Sequence, residues 1–163
     1  MKLTIGILLL GITCQCTDPK RSEENLAKVT YADRIELVDL NGNVMSLSNY
    51  RGKVIILNLW ATWCKPCIKE LPSMEVLQAK LNTNDFVLLF ASDESVEKIT
   101  RFKQRESFHL NFIRLTSTFE ALGVVSLPTT LIIDQSGELL KKEIGIKNWG
   151  SETSVEEIKQ LAL

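Results

Sequence analysis

Cysteine is scarce in this chain. Of four in 163 residues, Cys14 and Cys16 lie near the N-terminus, leaving only Cys64 and Cys67 in the body of the protein. A small secreted domain stapled by disulfides carries more cysteines, set farther apart. A bridge across so short a loop also removes little chain entropy from the unfolded state, which argues against a structural purpose. Histidine is scarcer still, with His109 alone. A tetrahedral zinc site built on the cysteine pair would have to be completed by His109 and carboxylates, so no metal and no cofactor is expected. Neither sign of charge is in excess, with 19 Lys and Arg against 20 Asp and Glu, which removes the electrostatic case for nucleic acid. The chain has no internal repeat and no low-complexity tract.

The N-terminal apolar stretch, Leu3 to Ile12, falls short of the about 20 residues that span a bilayer. Behind Met1-Lys2 it has the charged and apolar regions of a secretory signal, without an Ala-x-Ala cleavage site after it. A cysteine follows instead, an arrangement that resembles a bacterial lipoprotein signal, in which the cysteine carries the lipid. Thr13 before Cys14 and Gln15 before Cys16 depart from the usual pattern, so an ordinary signal peptide is the alternative. The reading is an export segment over 1–16, with Cys16 or Cys14 lipidated, and a polar tether over 17–32 whose second half could instead be a surface helix. The domain is expected over 33–163, exported and held at the membrane by its lipid.

That domain is long enough for one genuine core. Ile35–Leu40 and Val44–Leu47 around Asn41-Gly42 predict a hairpin. Val54–Leu59 is a short apolar run, as in a strand covered on both faces. Ile68, Leu71, Leu77 and Leu81 follow helical spacing, with Pro72 placed to kink that helix. Phe86–Ala91 predicts a second buried strand. Val96, Ile99 and Phe102 predict a helix starting near Ser92 or Asp93. A short strand over Asn111–Leu115 and a helical turn over Phe119–Leu122 come next. Thr129–Asp134 and Glu138–Ile144 then flank the turn Gln135-Ser136-Gly137. Ser154-Val155-Glu156-Glu157 reads as a capping box for a last helix ending at Leu161. The fold class is α/β: a central mixed sheet with helices on both faces and an extra N-terminal hairpin.

Trp63-Cys64-Lys65-Pro66-Cys67 lies where the Val54–Leu59 run gives way to helical spacing. Two thiols so placed on a first helical turn can close a disulfide, and one of them can attack another protein's disulfide. Free N–H groups at the helix N-terminus favour a thiolate there. Pro66 loses no N–H that the helix needs. Lys65 adds a nearby positive charge.

Trp60-Ala61-Thr62-Trp63-Cys64-Lys65-Pro66-Cys67, Pro72, and Leu127-Pro128-Thr129-Thr130 ahead of a strand resemble the thioredoxin superfamily. The Leu40-Asn41-Gly42 hairpin and Leu47-Ser48-Asn49-Tyr50-Arg51-Gly52-Lys53 are similar, more narrowly, to its exported, membrane-tethered TlpA- and ResA-like branch of thiol-disulfide oxidoreductases. The resemblance runs from about Asp33 to Leu163. It implies a thioredoxin fold and a Cys64–Cys67 disulfide, with Cys64 the exposed nucleophile and Cys67 the resolving thiol. It also implies a cis Pro128 that brings Leu127 and Thr129 to a substrate-binding position, and Trp63 as cover for the disulfide. The position that holds a buried aspartate in thioredoxin itself is Asn58, which cannot titrate. Glu70 matches the glutamate that ResA-like proteins carry one turn past the second cysteine, implying a proton donor and acceptor for Cys67. The implied partners are protein disulfides, apocytochrome c in some of the branch, and a membrane electron donor of thiol-disulfide type.

The remaining candidates read more plainly. Trp60 and Trp149 are expected to pack, His109 to sit at a helix–strand boundary, and Glu94, Glu97 and Lys98 to form a solvated helix face. Two other functions use the same residues. A peroxiredoxin-like peroxidase needs Pro-x-x-x-Thr/Ser-x-x-Cys, and Trp60 and Cys64 stand at the proline and Thr/Ser positions ahead of Cys67, so the frame fails. A non-catalytic copper or haem chaperone would use the pair for capture. Copper titration beside an insulin-reduction assay separates it from a reductase.

Overall fold

The computed structural model describes residues 28–162. The export signal, Cys14, Cys16 and the tether up to residue 27 lie outside the described residues. Seven strands form one sheet: β1 (Glu36–Val38), β2 (Val44–Ser46), β3 (Val54–Leu59), β4 (Phe86–Ser92), β5 (Phe112–Leu115), β6 (Thr129–Ile133) and β7 (Leu139–Ile144), in the order β2-β1-β5-β4-β3-β6-β7. The pairs β3–β4 and β4–β5 are parallel and the others antiparallel. All six residues of β3 are buried, Asn58 among them, as expected of a largely apolar strand covered on both faces. The N-terminal hairpin joins the sheet through β1 on β5. Its turn is held by the Asp39 carboxylate, which accepts the N–H groups of Asn41 and Asn43, and Gly42 takes a φ of +87°.

Three α-helices follow: α1 (Lys65–Lys80), α2 (Val96–Glu106) and α3 (Glu152–Lys159). Their buried apolar residues, among them Leu71, Met74, Phe102 and Ile158, all join one hydrophobic cluster with Val54, Ile56, Phe90 and Ile132 on one face of the sheet. Among the described residues, the expected helical cover on the second face comes from 3-10 turns: Ala32 from Ala32–Arg34, Leu47 from Leu47–Tyr50 and Leu122 from Glu120–Leu122 pack there with loop residues such as Phe119 and Val124 against Ile55, Leu57 and Leu131. Stepping the same way from β3 to β4 to β5 with right-handed crossovers places α1 and α2 on the same side. Among the described residues, no helix is long and apolar enough to cross a membrane.

Three boundaries differ from the sequence reading. Thr30 and Ala32, assigned to the tether, are buried: Arg51 donates to the Thr30 hydroxyl at 2.9 Å and the Ala32 N–H reaches the Gly137 carbonyl. The packed body therefore starts before Asp33. The cap of α2 is Ser95 rather than Ser92 or Asp93. The cap of α3 is Ser151, whose hydroxyl accepts the Ser154 N–H at 3.2 Å, so Ser154 lies inside the helix.

Candidate active site

β3 delivers the chain to the parallel strands' C-terminal end, where Trp60 donates its backbone N–H to Ala91 at the end of β4 (3.1 Å). Trp60 itself is fully buried against Phe102 and Phe112, with ring centroids 4.6 and 5.0 Å away. The turn that follows places Cys64 at the N-cap of α1, with extended backbone (φ −82°, ψ 93°). Its Sγ accepts the Cys67 N–H at 3.2 Å, the bond that a capping hydroxyl makes elsewhere. Pro66 stands in the first helical turn, where a missing N–H leaves no bond unmade. Cys64 and Cys67 are joined by a disulfide with Cα atoms 5.3 Å apart.

Cys64 is 4% exposed and Cys67 1%. The expected exposed nucleophile is thus nearly covered in the disulfide form, because capping turns its sulfur inward over the helix end. Trp63, at 68% exposed, stands out beside the pair instead of closing over it, and Lys65 and Pro66 are exposed too.

The antiparallel register of β3 and β6 sets Leu59 opposite Thr129. That brings Pro128, just before β6, to the level where the chain leaves β3 for Cys64. The Leu127–Pro128 peptide is cis. Pro128 is buried and its carbonyl accepts the Gly145 N–H at 2.9 Å. Leu127 is half-buried and packs against both clusters. Thr129 does not present its side chain to a substrate. It is 1% exposed, and its hydroxyl donates to the Ser126 carbonyl at 2.8 Å, holding the loop in shape.

Glu70 lies one turn beyond Cys67 on α1 and is 2% exposed. Trp149 Nε1 donates to its Oε1, while Oε2 has no hydrogen-bond partner among the described residues. Burial pushes its pKa up from 4.5 to about 7, against the opposing effect of the Trp149 bond. The Trp149 loop is tied to the same helix twice more. Its backbone N–H reaches the Ser73 hydroxyl at 3.2 Å, and Gly150 sits so close that a Cβ there would lie 2.8 Å from Val76. Asn58 is buried on β3 and donates to the Thr130 hydroxyl at 2.9 Å. His109 lies apart from these residues with its side chain 95% exposed, and its backbone N–H donates to Glu75.

Two residues of the site escape sequence reading. Trp149 reads as packing, yet it is the partner of Glu70. Glu94 reads as part of a solvated face, yet it is buried and accepts both the backbone N–H of Thr62 (2.6 Å) and its hydroxyl (2.8 Å). Its one available signal is position, directly after a buried strand that ends beside the cysteines.

The redoxin family profile matches residues 24–160. The chain belongs to the redoxin family. This redoxin is 39% identical over 107 residues to the thiol-disulfide oxidoreductase ResA of Geobacillus kaustophilus, covering 63% of this chain and 61% of that one. It thus spans about three-fifths of that relative's length. Among solved structures, a Bacteroides vulgatus protein assigned as a thiol-disulfide oxidoreductase superposes with a TM-score of 0.67 at 29% identity, over 77% of this chain and 90% of its own. The exposed lipoprotein thioredoxin Etrx1 of Streptococcus pneumoniae gives 0.57 at 29% identity, over 75% of this redoxin and 97% of its own chain. The fold is thioredoxin-like, with the N-terminal hairpin added to the sheet.

Proposed function

We propose that this redoxin is an extracytoplasmic thiol-disulfide oxidoreductase that reduces protein disulfides by cycling Cys64 and Cys67 between dithiol and disulfide. The observation that carries it is a disulfide at a helix N-cap with a buried, high-pKa carboxyl one turn behind it. In the reduced form the Cys64 thiolate, favoured by the free N–H groups of α1, attacks one sulfur of a substrate disulfide. The substrate's other sulfur leaves as a thiolate and takes a proton. Glu70, as carboxylate, accepts the Cys67 proton, and the Cys67 thiolate attacks Cys64 Sγ. The second substrate thiol departs and the Cys64–Cys67 disulfide forms, so the substrate gains the two electrons that the enzyme loses. A membrane-bound dithiol partner would return those electrons.

Export and a lipid anchor at Cys16 or Cys14 are supported by the leader's layout and by the likeness to the pneumococcal lipoprotein. Apocytochrome c is one candidate substrate. Reduced Cys67→Ser should trap a mixed disulfide between Cys64 and a model substrate such as disulfide-bonded insulin, visible on a non-reducing gel. Cys64→Ser should trap none. Trapping by Cys64→Ser instead would reverse the two roles, and trapping by neither variant would refute the cycle.

A further inference from the structure

The loop before the disulfide is held by an ionised carboxylate for which the cycle above has no use. Glu94 follows β4, and its side chain is 6% exposed. It accepts the Thr62 N–H at 2.6 Å and the Thr62 hydroxyl at 2.8 Å, with Ser92 and Lys98 at 3.3 and 3.2 Å. Burial alone would raise its pKa, but these donors outweigh burial and lower it, so Glu94 is charged at neutral pH. The charged groups around it are Lys98 on α2, half-exposed, and one carboxylate of like sign, Asp93 beside it, which in turn feels Glu120. Lys65, across the turn on α1, is exposed to solvent. Beside Glu94 itself, Lys98 is set against two carboxylates, Glu94 and Asp93. Thr62 is two residues from Cys64, and Cys64 donates its backbone N–H to Ala61 within the same turn (3.0 Å). The bond from Trp60 to Ala91 and the pair from Thr62 to Glu94 thus fix this turn to the end of β4 on both sides of Ala61.

We propose that Glu94 is a positioning residue for Cys64: through Thr62 it fixes the turn that sets the sulfur over the helix end, and its negative charge offsets part of the stabilisation that the helix N-terminus gives the Cys64 thiolate. A less stabilised thiolate makes a more reducing couple, because strong oxidants of this kind are those whose reduced form is favoured. The helix end and Lys65 pull the thiol toward ionisation. The buried carboxylate, shielded from salt, pulls the other way. The inference rests on the reading of Cys64 as the attacking thiol.

The test is the pH dependence of iodoacetamide alkylation of the fully reduced protein at low ionic strength, with peptide mass spectrometry locating the modified cysteine. In the wild type Cys64 is modified first. Modification of Cys67 first would refute the reading of Cys64 itself, a different result from failure at Glu94. Glu94→Gln, which keeps the shape and removes the charge, should lower the midpoint of Cys64 alkylation by about half a unit to one unit, the lower end of what a neighbouring charge does to a pKa. A loss of thermal stability with the midpoint unchanged, or a higher midpoint, would overturn the proposal, since a merely structural Glu94 predicts that outcome. If Glu94→Gln does not fold, Lys98→Met decides. Removing the cation that partly neutralises Glu94 should raise the midpoint, by about a few tenths because Lys98 is half-exposed and screened. An unchanged or lower midpoint there would overturn it.

Discussion

Buried one turn past Cys67, with one oxygen on Trp149 and the other without a hydrogen-bond partner among the described residues, Glu70 has its pKa pushed up to about 7. The folded state therefore binds a proton that the unfolded chain has released between pH 4.5 and about 7. Stability is greatest below that window and falls as pH rises through it. The loss amounts to about 3 kcal/mol, from 1.36 kcal/mol per pKa unit. Urea unfolding at pH 5 and pH 8 should show it, and Glu70→Gln should flatten the difference. The same variant should remove a step near neutral pH from the profile of disulfide reduction. Identical profiles and slopes in mutant and wild type would reject Glu70 as the proton acceptor. At this scale the site was legible wherever a short motif carried it: Cys64, Cys67, the proline at 128, and Glu70 by its spacing from Cys67. Glu94 and Trp149 were not, because their partners are 32 and 79 residues away in sequence. No local pattern records a hydrogen bond across that distance.

The elements came out close to their apolar spacing, and their ends did not. β3 runs over Val54–Leu59 as its apolar run predicts, and its one polar residue, Asn58, is buried with its amide on Thr130. Helix starts depend on which of several serines finds an N–H to accept. Ser92 and Ser154 both look like caps, but Ser92 serves Glu94 and Ser154 is itself served by Ser151. Ser151→Ala should cost about 1 kcal/mol in chemical denaturation by removing the α3 cap. Ser154→Ala, losing only a hydroxyl contact to Ser151 inside the helix, should cost less. The reverse order would mean that the helix starts where the sequence motif puts it. α1 carries the most consequence. Its N-terminus holds the disulfide, its second turn holds Glu70, and the Trp149–Gly150 loop is packed against the turn after that. A disturbance of that loop is thus passed to Glu70 through the Trp149 bond.

Across the whole molecule, topology brings the parts together. The parallel β3–β4 pair ends just before Trp60 and Glu94, and antiparallel β6 starts there after Pro128, so loops far apart in sequence meet at one end of the sheet. The alternation of strands and helices was readable. The gathering of all three α-helices on one face was not, since crossover handedness acts on strand order, which apolar spacing does not encode. Export and anchoring belong to this scale as well. Metabolic labelling with a palmitate analogue should mark the full chain, and labelling should vanish when Cys14 and Cys16 are both replaced. Label that persists in the double variant would refute a lipid anchor at either cysteine. The most direct test of the central claim is the reduction potential of the Cys64–Cys67 couple, from equilibration with glutathione or dithiothreitol buffers. A reductase should sit at about −200 mV or below, toward the thioredoxin value of about −270 mV. A potential near about −120 mV, the range of strong periplasmic oxidants, would contradict it.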